Sequence, residues 1–461
     1  MKTAIIPIAL LVLCLGLAAG CARKQASEWA SAKDPEVVAQ LKSFVAEKEA
    51  QANAATNASA PGYAPFFAAV ERGDWLGVSN AFNDLRQHAG QYEHTGKTDE
   101  RLRGTKWQDI IETWGAFDAF GAGDEKYSTA FGRDIIASIP PGSIYFGGTD
   151  PGRFIVTAMC KSQVDADPFF VLTQNALADD TYLQYLREMY GEKIYVPTAE
   201  DSQRCFEEYT KDLDARRQKK QLLPGEDYRL DASGKIQISG QVSVMQVSGL
   251  IAKTILEKNP KQEFYIEESF PFDWMYPQLE PHGLIFKLDR QPMSTLTDEV
   301  VQNDHEYWAK YVQPMISDWL HDDTSVAEVA AFAEKAFGKH YFTGFNGDPR
   351  FIENAYSHRM FSKLRSSIAG LYAWRVNHAA GADDKERMAR EADFSFRQAW
   401  ALCPYSPEAV YRYVNFLVQQ NRFADALLVA ETAAKMPEMQ GQNGGQIHAL
   451  VEQLKRYQNR H

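Results

Sequence analysis

The sequence lacks the features by which several common classes of protein are recognised. It has 49 Lys and Arg against 61 Asp and Glu, a formal net charge of −12, whereas a nucleic-acid-binding protein normally carries a basic surface that neutralises phosphates. It has no closely spaced set of Cys and His for zinc, no Gly-x-Ser-x-Gly turn and no His-Glu-x-x-His helix. We therefore expect no nucleic-acid partner, no metal and no cofactor.

Cysteine is also scarce. Five are present, and two of them, Cys14 and Cys21, belong to the N-terminal segment discussed next, which leaves Cys160, Cys205 and Cys403. An odd number cannot pair completely within one exported chain. We expect the three to be small buried apolar side chains, and a disulfide between Cys160 and Cys205 is the alternative.

Long hydrophobic runs are absent except at the N-terminus. Lys2 is followed by an apolar stretch over residues 4–17, which is shorter than the about 20 residues of a membrane span and is typical of a secretory signal. Small residues then precede Cys21 as in the bacterial lipobox, although Ala18 stands where a large aliphatic residue is preferred. We predict a signal peptide at 1–20 and a lipid on Cys21. Cleavage near Ala22 without a lipid is the alternative.

Residues 21–62 are predicted to form a lipidated tether. A helix begins at Asp34-Pro35, with Asp34 as the N-cap, and it fades into a stretch of small polar residues at 51–60 that is typical of a flexible spacer. Residues 63–138 are predicted to be helical. Apolar residues at helical spacing on both sides of Gly73-Asp74 indicate a helical hairpin, and two further helices follow at 107–120 and 127–136.

Residues 139–292 change character at Pro140-Pro141-Gly142. Short runs of β-forming residues alternate with helical stretches, which is the pattern of a Rossmann-like α/β domain with a small parallel or mixed sheet. The predicted strands are residues 143–146, 169–173, 194–196, 263–267 and 284–288.

Residues 296–461 are predicted to be entirely helical and to contain a repeat. Ala392 and Ala399 recur 34 residues later as Ala426 and Ala433, which is the period of tetratricopeptide units, where small residues allow paired helices to approach closely. The predicted fold class is therefore α/β plus all-α, with a C-terminal tetratricopeptide-like domain that offers a surface for partners.

The candidate ligand site lies in the loop after the first predicted strand and at the ends of its neighbours. In open α/β sheets, ligands bind beyond the carboxyl ends of the strands, and the start of the following helix favours an anion or polar group. The alternative is a turn in which Asp150 only caps that helix. The candidate ligand-binding residues are Gly147, Gly148, Thr149, Asp150, Arg153, Asn175, Glu267 and Glu268.

Three segments of this domain carry a family resemblance. They are residues 139–150, which enclose a strand between a Pro-Pro-Gly and a Gly-Gly-Thr-Asp motif, residues 264–269, and residues 279–288, which contain Pro-His-Gly-Leu. The set resembles the soluble domain of bacterial multi-spanning membrane proteins related to transmembrane protein O-mannosyltransferases, often followed by tetratricopeptide repeats. The resemblance implies this architecture and a glycan or cell-envelope context. The sequence lacks that family's membrane part, where catalysis is expected, which weakens the case for transferase activity.

The sequence therefore predicts an exported, lipid-anchored binding or scaffolding protein of the cell envelope. Its expected partners are an envelope protein or a glycan, and the membrane through the lipid on Cys21, at the periplasmic face with the outer membrane favoured. The alternative is a glycan-acting enzyme, related to glycosyltransferases or a hydrolase, in which Asp150, Glu267 and Glu268 serve as acid, base or metal-binding groups.

Overall fold

The computed structural model describes residues 34–54, 63–89, 106–148, 151–160, 168–230, 236–267, 270–440 and 444–458. The predicted signal peptide at 1–20 and four candidate site residues, Cys21, Thr149, Asp150 and Glu268, lie outside these ranges.

The N-terminal part is helical, as predicted. Gly73 has φ +70° in the turn of the predicted hairpin, a conformation that glycine adopts at no steric cost. Most apolar residues of the first four helices form a separate hydrophobic cluster, which includes Phe66, Trp107 and Ile110, whereas Phe131 and Ile135 of the fifth helix belong to the larger core. The helices are α1 (Pro35–Ala54), α2 (Tyr63–Glu71), α3 (Trp75–Ala89), α4 (Lys106–Ala122) and α5 (Glu125–Ser138).

The central part contains a small mixed sheet with helices around it. Its strands are β1 (Ile144–Gly147), β2 (Phe170–Thr173), β3 (Asp227–Leu230), β4 (Ile236–Ser239), β5 (Phe264–Glu267), β6 (Leu279–His282) and β7 (Ile285–Leu288). Its helices are α6 (Pro151–Met159), α7 (Asp180–Tyr190), α8 (Ala199–Gln218) and α9 (Gln241–Lys258). Five strands form the sheet in the order β2-β1-β5-β7-β6, and β3 pairs with β4 in a separate antiparallel hairpin. Both β2 and β5 run parallel to β1, whereas β7 runs antiparallel to β5 and to β6.

One predicted strand is wrong. Residues 194–196 have no strand partner, although Ile194 and Val196 are buried as a strand would require. The side chain of Asn259 takes up the backbone polar groups of Tyr195: the Tyr195 amide donates to Oδ1 at 2.8 Å, and Nδ2 donates to the Tyr195 carbonyl at 2.9 Å. A buried segment satisfied in this way needs no neighbouring strand.

Two features of the sheets were not predicted. The β3–β4 hairpin lies in a region without strong apolar alternation, and β6 contains Pro281, a residue that is rare inside strands.

From residue 296 onward the described part of the chain is helical without strands, as predicted. From α13 to α17, each helix packs against the next one along the chain. The repeated alanines Ala392, Ala399, Ala426 and Ala433 are all fully buried. The helices are α10 (Asp298–Ile316), α11 (Val326–Ala333), α12 (Pro349–Glu353), α13 (Ala355–His378), α14 (Ala382–Leu402), α15 (Pro407–Gln419), α16 (Phe423–Lys435) and α17 (Gly445–Gln458).

The sheet and the C-terminal helices share one hydrophobic core, because buried residues of both belong to a single cluster. Arg375 of α13 is buried at this junction. Its guanidinium donates to the carbonyls of Met293 at 2.7 Å and Pro277 at 3.1 Å. Carbonyls of the chain before residue 296 therefore accept hydrogen bonds from a charged side chain of the helical part.

Candidate functional site

The carboxyl ends of three parallel strands meet at one edge of the sheet. Gly147, the last residue of β1, is level with Thr173 on one side and Glu267 on the other. The strand bearing Glu267 therefore runs parallel to β1. Asn175 follows β2 on the same edge, where Gln174 donates from Nε2 to the Phe270 carbonyl at 3.3 Å and so links the ends of β2 and β5.

Glu267 is buried at this edge and points towards the start of α6. It is only 2% exposed, and its Oε2 accepts a hydrogen bond of 3.0 Å from the Gly148 amide. The carboxylate lies against Gly152 in the first turn of α6. Unpaired amides and the helix dipole favour a negative charge at this position. The position predicted for a bound anion is thus held by a carboxylate of the protein itself.

The sequence predicts that Arg153 lines this crevice, but its side chain is paired with residues of α4 instead. Its guanidinium is buried against α4, where Nη2 donates to Glu112 Oε1 at 2.9 Å and to Gln108 Oε1 at 3.4 Å. A buried guanidinium beside a carboxylate stays with it, because separating them would leave a desolvated charge with fewer partners.

Arg153 belongs to a buried charge cluster that the sequence analysis missed. Lys48 of α1 places Nζ 2.7 Å from Glu112 Oε2 and 3.7 Å from Asp109 Oδ1, and Tyr185 donates to Glu112 Oε2 at 2.7 Å. The sequence carries a signal for it, since Lys48 follows Phe44 and Val45 at helical spacing on the apolar face of α1. A lysine on such a face is fully buried only with charged partners.

The pKa values of the two carboxyl groups in this charge cluster are shifted in opposite directions. Burial alone would raise the pKa of Glu112, but the cations of Lys48 and Arg153 outweigh burial and lower it to about 2. Burial raises the pKa of Asp109 to about 7, because the attraction of the more distant Lys48 offsets only part of the desolvation. Glu112 is therefore the charged centre of the cluster, and Asp109 changes its protonation state near neutral pH.

The space beside the charge cluster is closed. Glu112, Arg153, Thr173 and Tyr185 line a crevice too small to hold a water molecule. The paired charges of the cluster therefore join α1, α4, α6 and α7 to one another, and the crevice has no room for a substrate.

Potential metal ligands do not cluster in the part of the chain that the structure describes, and its thiols are buried. Within it, no three His, Cys, Asp or Glu side chains come together as ligands for a metal ion. Cys160, Cys205 and Cys403 are all buried thiols, as expected, and burial raises the pKa of Cys403 to about 12. A thiol held so far from its reactive thiolate form packs as an apolar side chain.

Comparisons with family models, with curated proteins and with solved structures gave no match to this chain. Among the helices of the described ranges, none combines the length and the apolar character that crossing a bilayer requires.

Proposed function

We propose that this chain is an exported, lipid-anchored protein of the bacterial cell envelope that binds or scaffolds a partner without catalysing a reaction. The observation that carries the proposal is the state of the two described charged residues of the predicted crevice. Arg153 is paired with Glu112. Glu267 is buried and accepts a hydrogen bond from the Gly148 amide. Neither side chain is presented to a substrate, as acid–base chemistry requires.

The partner-binding surface in this proposal is the C-terminal set of helices, read as tetratricopeptide-like units beside a Rossmann-like domain. Successive packing from α13 to α17 and the fully buried alanines of the 34-residue period support this. Stacked helical pairs form extended surfaces that bind segments of other proteins. The proposed partner is an envelope protein or a glycan, the context that the resemblance to the O-mannosyltransferase-related family implies.

The anchor in this proposal is the lipid on Cys21, at the periplasmic face of the outer membrane. Replacing Cys21 by Ala is expected to move the protein from the membrane fraction to the soluble exported fraction, because stable anchoring depends on the acyl chains. Retention of the variant on membranes after a high-salt wash would show that another feature anchors the chain.

Photo-crosslinking in cells tests the partner surface. A photoreactive amino acid is placed at the exposed positions Gln419 of α15 or Glu452 of α17, and at the exposed Gln184 of α7 as the matched control. We expect one or more discrete adducts from the C-terminal positions and none from Gln184. A set of C-terminal positions that yields no adduct while the protein is correctly localised would contradict a binding role for these helices.

A further inference from the structure

Helix α1, which the sequence assigns to the tether, is fixed to the body at Asp34, the residue directly before it. The Asp34 amide donates to Glu125 Oε1 at 2.9 Å, and Arg133 Nη2 donates to the Asp34 carboxylate at 2.8 Å. Both partners belong to α5. The described chain therefore begins beside α5.

Helix α1 is also fixed along its length. Val37, Leu41, Phe44 and Val45 are each at most 7% exposed and lie in the hydrophobic cluster of the N-terminal helices. One turn later Lys48 enters the buried charge cluster with Glu112. Undocking α1 would expose four large apolar side chains and break a desolvated ion pair, and both changes are unfavourable.

We infer that the end of the molecule at which α1 begins faces the membrane, and that the docking of α1 holds it close to the lipid. This inference rests on the anchor proposed at Cys21. Only 13 residue steps separate Cys21 from Asp34, so a fully extended chain reaches at most about 45 Å. If α1 were a free tether, the 42 steps from Cys21 to Tyr63 would reach about 140–150 Å.

The described surface of the body around the start of α1 is acidic and does not itself favour adsorption to anionic lipid. The ion-pair network around the start of α1 contains more acidic than basic groups, and acidic surfaces are repelled by anionic lipid headgroups. Its members are the carboxylates of Asp34, Glu36, Asp124, Glu125 and Asp348 and the cations of Lys126, Arg133 and Arg350. Five negative and three positive groups leave a net charge of −2 on this network.

Two insertions of equal length separate a docked helix from a free tether. A Gly/Ser segment of about 20 residues is inserted either directly before Asp34 or between Ala54 and Tyr63, and the lipidated proteins are bound to vesicles of phosphatidylethanolamine and phosphatidylglycerol. Energy transfer is measured from a donor dye on Ala137→Cys to acceptor-labelled headgroups. Ala137 is exposed and lies one turn beyond Arg133 on α5, whereas Cys160, Cys205 and Cys403 are buried.

We expect the insertion before Asp34 to lower the transfer efficiency severalfold, because it lengthens the only segment that sets the distance. The insertion after Ala54 should leave the efficiency unchanged, since docking fixes both ends of α1. Equal losses from the two insertions would overturn the docking of α1. An unchanged signal from the first insertion would show that the body adsorbs to the lipid, and would overturn the inference as well.

A measurement in solution distinguishes failure of this inference from failure of the proposed anchor. If the parent protein does not bind the vesicles, lipidation at Cys21 is refuted and the membrane-facing end with it. Hydrogen exchange of the full-length Cys21→Ala protein then still decides whether α1 is docked. Amides of α1 that exchange as slowly as those of α4 support docking, and amides that exchange at the rate of an unprotected peptide exclude it.

Discussion

Glu267 occupies the space that a side chain at residue 152 would need. A Cβ atom built on Gly152 would lie 1.5 Å from Glu267 Oε2 and 2.0 Å from its carboxyl carbon. Residue 152 lies in α6, where alanine is ordinarily the more stable residue. The glycine is therefore required by the packing of the protein's own carboxylate at the start of the helix.

Replacing Gly152 by Ala should destabilise the protein by about 1–3 kcal/mol, the usual cost of adding a methyl group to a closely packed site. The matched control is Gly121→Ala in α4, where no other atom lies within 4 Å of the added Cβ. That change should stabilise the protein by about 0.5–1 kcal/mol through helix propensity. Denaturant midpoints of the two variants measure both effects. Stabilisation by both substitutions would contradict the contact with Glu267.

The Glu112 carboxylate should be among the most sensitive polar groups of the fold. Glu112→Gln removes the negative charge between Lys48 and Arg153 while keeping the shape of the side chain. We expect a loss of about 3–5 kcal/mol in the free energy of unfolding, because two buried cations lose their shared partner. Glu36→Gln is the control, since that side chain is 84% exposed and 3.5 Å from Arg133, and it should change stability by less than about 1 kcal/mol. Similar effects of the two changes would refute this ranking.

Asp109 should make the folded protein less stable as the pH rises from about 4 to about 7. Its pKa is raised from an ordinary value of 3.8 to about 7 in the folded state. The folded state then binds more protons than the unfolded state throughout this window, so the free energy of unfolding falls with rising pH and levels off above it. A difference of about three pKa units corresponds to about 4 kcal/mol at most.

The variant Asp109→Asn isolates this effect. The difference in unfolding free energy between the variant and the parent protein should grow with pH across the window and stay constant beyond it. Glu112 contributes in the opposite sense at lower pH: its pKa is lowered from 4.5 to about 2, so its stabilisation is lost as the pH falls from 4.5. A pH-independent difference between variant and parent would show that Asp109 is ionised like an exposed carboxylate.

His305 should produce a second decline in stability at higher pH. A hydrogen bond of 3.0 Å from its Nδ1 to Glu391 Oε2 raises the pKa of the imidazole above 6.5, and Asp322 Oδ1 lies 3.4 Å from Nε2. The stabilisation is present below pH 6.5 and is lost as the pH rises through the folded pKa. NMR titration should give a pKa above 6.5, and Glu391→Gln should lower it by removing the charge. A pKa at or below 6.5 in the parent protein would exclude a charged pair.

The sequence predicts those parts of the fold that depend on local pattern. The apolar spacing of α4 and α5 and the β-forming run of β1 are sufficient for their assignment, because the helices bury one face and the strand buries both. Residues 194–196 have the same apolar character without a strand, and only Asn259, 64 residues away from Tyr195, explains the difference. The pairing of Arg153 with Glu112 was not predictable for the same reason, since Glu112 lies 41 residues earlier.

The domain boundary predicted before residue 296 stays a prediction. Hydrogen bonds of Arg375 cross this boundary, so a C-terminal fragment would have to fold without them. A fragment of residues 296–461 would carry Arg375 without the carbonyls of Met293 and Pro277 that it contacts in the full chain. Contacts of this kind join residues more than 80 positions apart, and hydrophobic periodicity carries no information about them.

The turn between β6 and β7 decides how the outer rim of the sheet behaves towards other chains. Gly283, at φ +60°, and Leu284 form a two-residue turn, so His282 and Ile285 are the hydrogen-bonded pair beside it. Pro281 then falls at the next position, where a backbone nitrogen faces outward, and proline has no hydrogen to offer there. An approaching strand would meet an edge of four residues that lacks one hydrogen-bond donor, so edge-to-edge association of two copies through β6 is disfavoured.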